Sequence, residues 1–136
     1  MVGQKPDQRA GGIELVPAHF PGRAPIDTYG NGGFRFADMS HRGSILCLPS
    51  GIYGWDVEQP DNFTSTTFKR LLNEEGFDVL LVGTGHDLTP LPAVLKEKLQ
   101  ARGIRADVMS TGAAARTYNV LLAEGRAVAA ALLAVE

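Results

Sequence analysis

Residues 77–90 read FDVLLVGTGHDLTP. The apolar run Val79–Val82 ends in Gly83-Thr84-Gly85, and beyond Thr89-Pro90 lie Leu91, Val94, Leu95 and Leu99, spaced as the apolar stripe of a helix. A strand that is apolar on both faces suits the middle of a sheet covered by helices on both sides. The stretch predicts a central strand, a glycine turn, and a helix capped by Thr89. Pro90 then takes the first helical position, where a missing N–H costs nothing, and Gly103 stops the helix.

The same periods extend outward. Downstream, IRADVMS (104–110) predicts a strand, TGAAARTYNVLLAEG (111–125) a helix and RAVAAALLAV (126–135) an apolar strand. Upstream, Thr64 and Ser65 are N-cap residue types, and Phe68, Leu71 and Leu72 follow at helical spacing until Gly76. Before that, Phe34 and Phe36 alternate with Arg35. SHRG (40–43) is a break that predicts a hairpin between Phe34–Met39 and Ser44–Leu48. Ile45–Leu48 is apolar throughout, and GIYGWDV (51–57) is a third extended piece with Tyr53 and Trp55 on one side. The order is a hairpin, then α-β-α-β-α-β: an α/β sandwich with a central, partly parallel sheet and an N-terminal antiparallel hairpin. Residues 1 to about 27 carry Pro6, Gly11, Gly12, Pro17, Pro21, Gly22 and Pro25 without a period. They predict an irregular arm ahead of a single domain, 28–136, and its removal is expected to cost a few degrees of melting temperature.

Composition narrows the classes of function. The 136 residues are 44% hydrophobic and 21% charged, with a net charge of -2. That is one domain's length with no basic field for nucleic acid. No apolar run approaches the roughly 20 residues of a membrane span. The N-terminus lacks a secretory apolar region, and Asp7 and Glu14 beside Lys5 and Arg9 do not make an Arg-rich transit peptide. The one cysteine, Cys47, sits in ILCL and predicts a buried, inert thiol. A reducing, cytoplasmic compartment is expected.

The glycine turn is the first candidate site. A dinucleotide fingerprint requires G-x-G-x-x-G, but the sequence is GTGHDL, with Leu88 at the third glycine. Asp107, at the distance of the ribose-binding acid, lies inside a strand rather than at its end, and the phosphate-loop pattern G-x-x-x-x-G-K-[ST] is absent. Two readings stay open. Gly83, Thr84, Gly85 and His86 could offer backbone amides to a carboxylate or single phosphate near a helix N-terminus, with Arg116 as the side-chain cation. Or they make a corner and nothing more. Asn119 is a poor helix former in mid-helix, so it either bonds nearby backbone or faces a ligand. Thr111 is placed to cap its helix. His19, His41 and His86 lack metal-ligand spacing, and His86-Asp87 has no matched nucleophile such as a G-x-S-x-G elbow.

Several of these pieces recur together in a known family. They are GTG after an apolar strand, MSTGAAARTYNVLLAEGRAVAAAL (109–132), and an earlier phenylalanine followed by Gly43, Leu46, Pro49, Gly51, Tyr53 and Trp55. In order and spacing over about residues 28–135, the chain resembles domain of unknown function 498. That family includes a mitochondrial respiratory complex I assembly factor and an adipogenesis-associated protein. The family-like positions are Gly83, Thr84, Gly85, Thr111, Ala114, Arg116, Tyr118, Asn119, Glu124, Gly125 and Arg126. The resemblance implies a three-layer α/β/α domain with a mixed sheet, no established catalytic activity, and protein partners. It departs at the N-terminus, where mitochondrial members carry a presequence and this chain has a Pro/Gly-rich arm; a bacterial cytoplasm is expected instead. The expected function is a non-catalytic interaction or assembly factor, with no cofactor or metal. The alternative is a small-anion or small-ligand binder, or an enzyme, using the Gly83–Gly85 turn. A homodimer through edges of the C-terminal strand and the early hairpin is a further expectation.

Overall fold

The computed structural model describes residues 20–136. In chain order it contains β1 (Thr28–Gly30), β2 (Gly33–Phe36), β3 (Met39–Arg42), β4 (Ser44–Leu48), β5 (Gly51–Trp55), α1 (Lys69–Leu72), β6 (Val79–Gly83), α2 (Ala93–Ala101), β7 (Arg105–Met109), α3 (Thr111–Ala123) and β8 (Val128–Leu132). Five strands form the central sheet in the order β5-β4-β8-β6-β7. β4 runs antiparallel to β5 and β8, while β6 runs parallel to β7 and β8, so the sheet is mixed as expected.

Both faces of this sheet are covered, which is why its strands are apolar without alternation. On one face Leu46, Leu48, Tyr53, Trp55, Leu80 and Val82 pack with Phe68 and Leu71 around α1 and with Leu95 and Leu99 of α2. On the other, Ile45, Cys47, Ile52, Leu81 and Leu132 pack with Phe34 and Phe36 of β2 and with Ala114, Ala115 and Tyr118 of α3. β8 lies at the centre with Ala129, Ala130 and Ala131 wholly buried, small residues where both layers press closest. The result is a three-layer sandwich: α1 and α2, the sheet, then α3 beside the antiparallel β1-β2-β3 meander.

Four local expectations are corrected. SHRG is not the hairpin break. Ser40, His41 and Arg42 belong to β3, and the turn falls at Ala37-Asp38, both at positive φ (49° and 63°). Two consecutive left-handed residues match the twist of a two-residue hairpin. Gly43, at φ 101°, is instead the crossing point that sends β4 into the main sheet. The helix after the glycine turn begins at Ala93, not Pro90, and Thr89 does not cap it. Thr89 and Leu91 each precede a proline, which holds them extended, so helix cannot start before Pro92 has passed. Helix α1 is one turn. Thr64 and Thr67 close a hydroxyl-bonded turn instead of capping a longer helix, through Thr67 N–H to Thr64 Oγ1 at 3.1 Å and Thr64 N–H to Thr67 Oγ1 at 2.9 Å. Finally, the C-terminal strand β8 offers no edge, because β4 and β6 flank it; the edges of the main sheet are β5 and β7.

Residues 20–27 are packed on the domain. Phe20 pairs with Ile52 on the outer side of β5, with Ile52 N–H to Phe20 O at 2.9 Å, and Ala24 and Ile26 are buried. The remainder of the expected arm lies outside the described residues.

Candidate functional site

Gly83 ends β6 between Met109 of β7 and Leu132 of β8, so three parallel strands finish side by side. Every strand end leaves polar backbone to be satisfied, and here the sequence does so with two buried threonines. Thr84 N–H donates to Met109 O at 2.9 Å, and the Thr84 hydroxyl donates to Asp87 O at 2.5 Å and accepts from Thr89 N–H at 3.1 Å. Thr111, fully buried, accepts from Gly85 N–H at 3.0 Å and donates its hydroxyl to Leu133 O at 2.8 Å. Its own N–H donates to Gly85 O at 2.8 Å. The carbonyl of Gly83 accepts from Leu133 N–H at 3.0 Å. One hydroxyl thus ties the turn after β6, the start of α3 and the end of β8 into a single knot.

The glycines serve that knot. A Cβ on Gly83 would stand 2.8 Å from the Cα of Thr111, so only glycine lets the two backbones meet. Gly85 adopts φ 98°, a conformation that costs any other residue strain. The expected cap on α3 is corrected: Ser110, not Thr111, is the N-cap, its Oγ accepting from Ala113 N–H at 3.4 Å.

The structure divides the residues singled out from the sequence. Gly83, Thr84, Gly85 and Thr111 come together, but the amides of Thr84 and Gly85 are already held by protein acceptors. His86 and Asp87 are exposed on the loop beyond. Arg116 is exposed on α3. Asn119 lies about 12 Å along the helix axis from Thr111 at 1.5 Å per residue, and faces elsewhere. Its Oδ1 accepts from Ile26 N–H and its Nδ2 donates to Ile26 O, both at 2.8 Å. Of the two readings of Asn119, the backbone-bonding one is observed. It clasps both peptide groups of a single residue, in the manner of a β-bridge.

Two features were not visible in the sequence. The phenol of Tyr29 reaches over the first turn of α3, where a Cβ on Gly112 would collide with its Oη. Cys47 and Tyr118, from β4 and α3, form a buried hydrogen bond. Burial, chiefly, pushes the Cys47 thiol far above its ordinary range. It raises Tyr118 as well, with Cys47 adding to the effect. The expectation of a buried thiol is met, and a thiol held neutral is a poor nucleophile.

A cleft of about 710 Å³ lies at the β3–β4 crossing, lined by His41, Arg42, Ser44, Trp55 and Asp56 among others; it shares no residue with the glycine turn. Among the described residues no three His, Cys, Asp or Glu side chains stand where they could hold a metal ion. Among them, too, no helix is long and apolar enough to cross a membrane.

A mixed five-stranded sheet with a covering meander, and a turn knotted by two threonines, define a small α/β sandwich in which Thr84, Thr111 and Asn119 are bonded to backbone. The chain belongs to the family described as Protein of unknown function (DUF498/DUF598), which matches residues 26–133. An uncharacterized protein of Rhodobacter capsulatus is 45% identical over 114 residues, 84% of this chain and 87% of that one. The Mus musculus protein named NADH dehydrogenase [ubiquinone] 1 alpha subcomplex assembly factor 3 is 30% identical over 122 residues, 89% of this chain and 66% of that one. A crystal structure described as an outer membrane protein from Bartonella henselae superposes with a TM-score of 0.84 at 63% identity, covering 87% of this chain and 100% of that one.

Proposed function

We propose that the chain is a non-catalytic interaction or assembly factor, acting in the cytoplasm on protein partners that serve the assembly of a respiratory complex or of inner-membrane proteins. The observation that carries this reading is the 30% identity, over 122 residues, to a protein named for NADH dehydrogenase assembly. The knot at Thr111 supports it from the other side. The backbone N–H groups best placed to receive an anion, those of Thr84 and Gly85, already donate to Met109 O and Thr111 Oγ1, which favours a corner over a ligand cradle.

The test is a tagged chain purified from its native organism, with mass spectrometry of what accompanies it, alongside a deletion strain. The expected result is recovery of respiratory-complex or inner-membrane subunits, and less of the assembled complex in the deletion strain. Unchanged complex levels with no such subunits recovered would overturn the proposal. The competing small-ligand reading has its own measurement. Titration with phosphate, nucleotides and small carboxylates is expected to leave the NMR signals of Gly83–His86 unmoved at about millimolar concentration, the range where a lone helix-terminus contact is weak. A saturable shift that Arg116→Ala abolishes would restore the binding site.

A further inference from the structure

The outer side of β7 is paired with nothing among the described residues: β7 ends the sheet order and hydrogen-bonds only to β6. We propose that this edge pairs antiparallel with β7 of a second copy of the chain, about a two-fold axis at Ala106, joining two five-stranded sheets into one.

Backbone and side-chain pattern together select that register. Arg105 N–H donates to Asp78 O and Met109 O accepts from Thr84 N–H, so residues 105, 107 and 109 turn their backbone groups towards β6. By alternation, Ala106 and Val108 turn theirs outward. An antiparallel partner must therefore set even residues opposite even ones. With Ala106 facing its own copy, Arg105 of each chain stands opposite Asp107 of the other. These are non-hydrogen-bonded pairs, the kind that brings side chains closest. Both side chains are exposed, at 79% and 41%, and within one chain they already approach to 3.6 Å. Moving the axis to Asp107 would set two carboxylates face to face, which is destabilising. Moving it to Val108 would leave Arg105 without an acid. Charges on an edge strand ordinarily keep edges apart. A base and an acid two positions apart pair with each other's copies in this register alone.

The opposite face agrees. Ala106 and Val108 are only partly buried and pack towards α2. In the proposed register Ala106 meets its copy, and Val108 lies opposite the partner's Ile104. A cleft of about 340 Å³ runs between α2 and β7, with Leu99, Ile104 and Ala106 in its wall, and the second copy would roof it. Ile104 N–H is held by Leu99 O, so the backbone pairing centres on the N–H and C=O groups of the two Ala106 residues and Val108 N–H; with them the edge is self-complementary in charge and in apolar surface, as an isologous two-fold interface requires.

The experiment is sedimentation or light scattering of the full chain from about 10 μM to about 1 mM, the range in which a modest interface shows mass action. A concentration-dependent dimer is expected. Arg105→Asp and Asp107→Arg, each alone, place like charges opposite at both symmetric pairs and should weaken the dimer about tenfold. The double exchange, Arg105→Asp with Asp107→Arg, should restore it. Thermal melts of each variant check that the exposed substitutions leave the fold intact. Ala106→Cys should cross-link between chains on oxidation or with a short thiol reagent, because hydrogen-bonded pairs place Cα atoms about 5.5 Å apart, within disulfide reach. Val108→Cys should not. A monomer at all concentrations, a dimer indifferent to single charge reversal, a double exchange that fails to restore, or cross-linking through Val108 would each overturn the proposal.

Discussion

Asn119 shows how a single residue can be conspicuous in sequence and still conceal its role. A polar amide inside an apolar helix demands a reason, and that much was legible. Its partner, Ile26, is 93 positions away and carries no side-chain signal, so only the fold brings the two together. Asn119→Ala leaves a buried N–H and C=O without partners and is expected to cost about 2–3 kcal/mol in denaturant unfolding. Hydrogen exchange should accelerate first around residue 26. The Cys47–Tyr118 pair makes a second prediction. Burial raises the pKa of both groups, so the folded chain keeps them protonated at a pH where the unfolded chain ionises them. The stability they contribute is complete below the unfolded thiol's range, near about pH 8.5. Above it stability falls, by up to about 1.4 kcal/mol per pH unit for each group. Urea midpoints measured from pH 7 to 10.5 should show that decline, and Cys47→Ala should flatten its first part.

Among the elements, those defined by long periodic or apolar runs were readable: β4, β6, β7, α3 and β8 lie where hydrophobic pattern put them. The misread pieces were short or decided by backbone rules that outweigh pattern. Pro90 and Pro92 postponed α2. A turn made by Ala37-Asp38, without the glycine that usually marks one, hid the β2–β3 hairpin and made SHRG resemble a break. The knot at the end of β6 was legible as a place and not as a purpose, because GTG followed by a threonine 26 residues later does not reveal that the two bond. Its three parts fail differently. Thr111→Val keeps the shape but strands Gly85 N–H and Leu133 O, for about 2–4 kcal/mol. Gly85→Ala meets open space and costs only backbone strain, about 1–2 kcal/mol. Gly83→Ala drives a methyl into Thr111 Cα and should cost at least as much, about 1–3 kcal/mol, since backbone on both sides must shift. A ranking with Gly85→Ala worst would mean that the turn, not the hydroxyl, governs this corner.

At the scale of the molecule, the layers and the mixed sheet were readable from element order, while the extent of the domain was not. Composition puts residues up to about 27 in an arm, yet Ala24 and Ile26 are core residues and Phe20 bridges to Ile52 of β5. Removing residues 1–27 forfeits buried apolar surface and both bonds to Asn119, together about 3–5 kcal/mol. The melting temperature should fall by about 10 °C or more. A fall of only a few degrees would show that residues 20–27 contribute little of their own.

The position of β8 has a consequence for the birth of the protein. A ribosome delivers β4 and β5 early and β6 and β7 later, yet among the described residues no strand pairing joins these two halves of the sheet until the strand between them arrives, the last to be made. Its pairing of Ile45 with Leu132 closes one of the longest loops in the chain, and such closures are slow. Until then β4 and β6 each hold an open apolar edge, the kind of surface that chaperones protect and neighbouring chains invade. Nascent chains released without β8 should therefore be captured or degraded rather than accumulate as a smaller folded core.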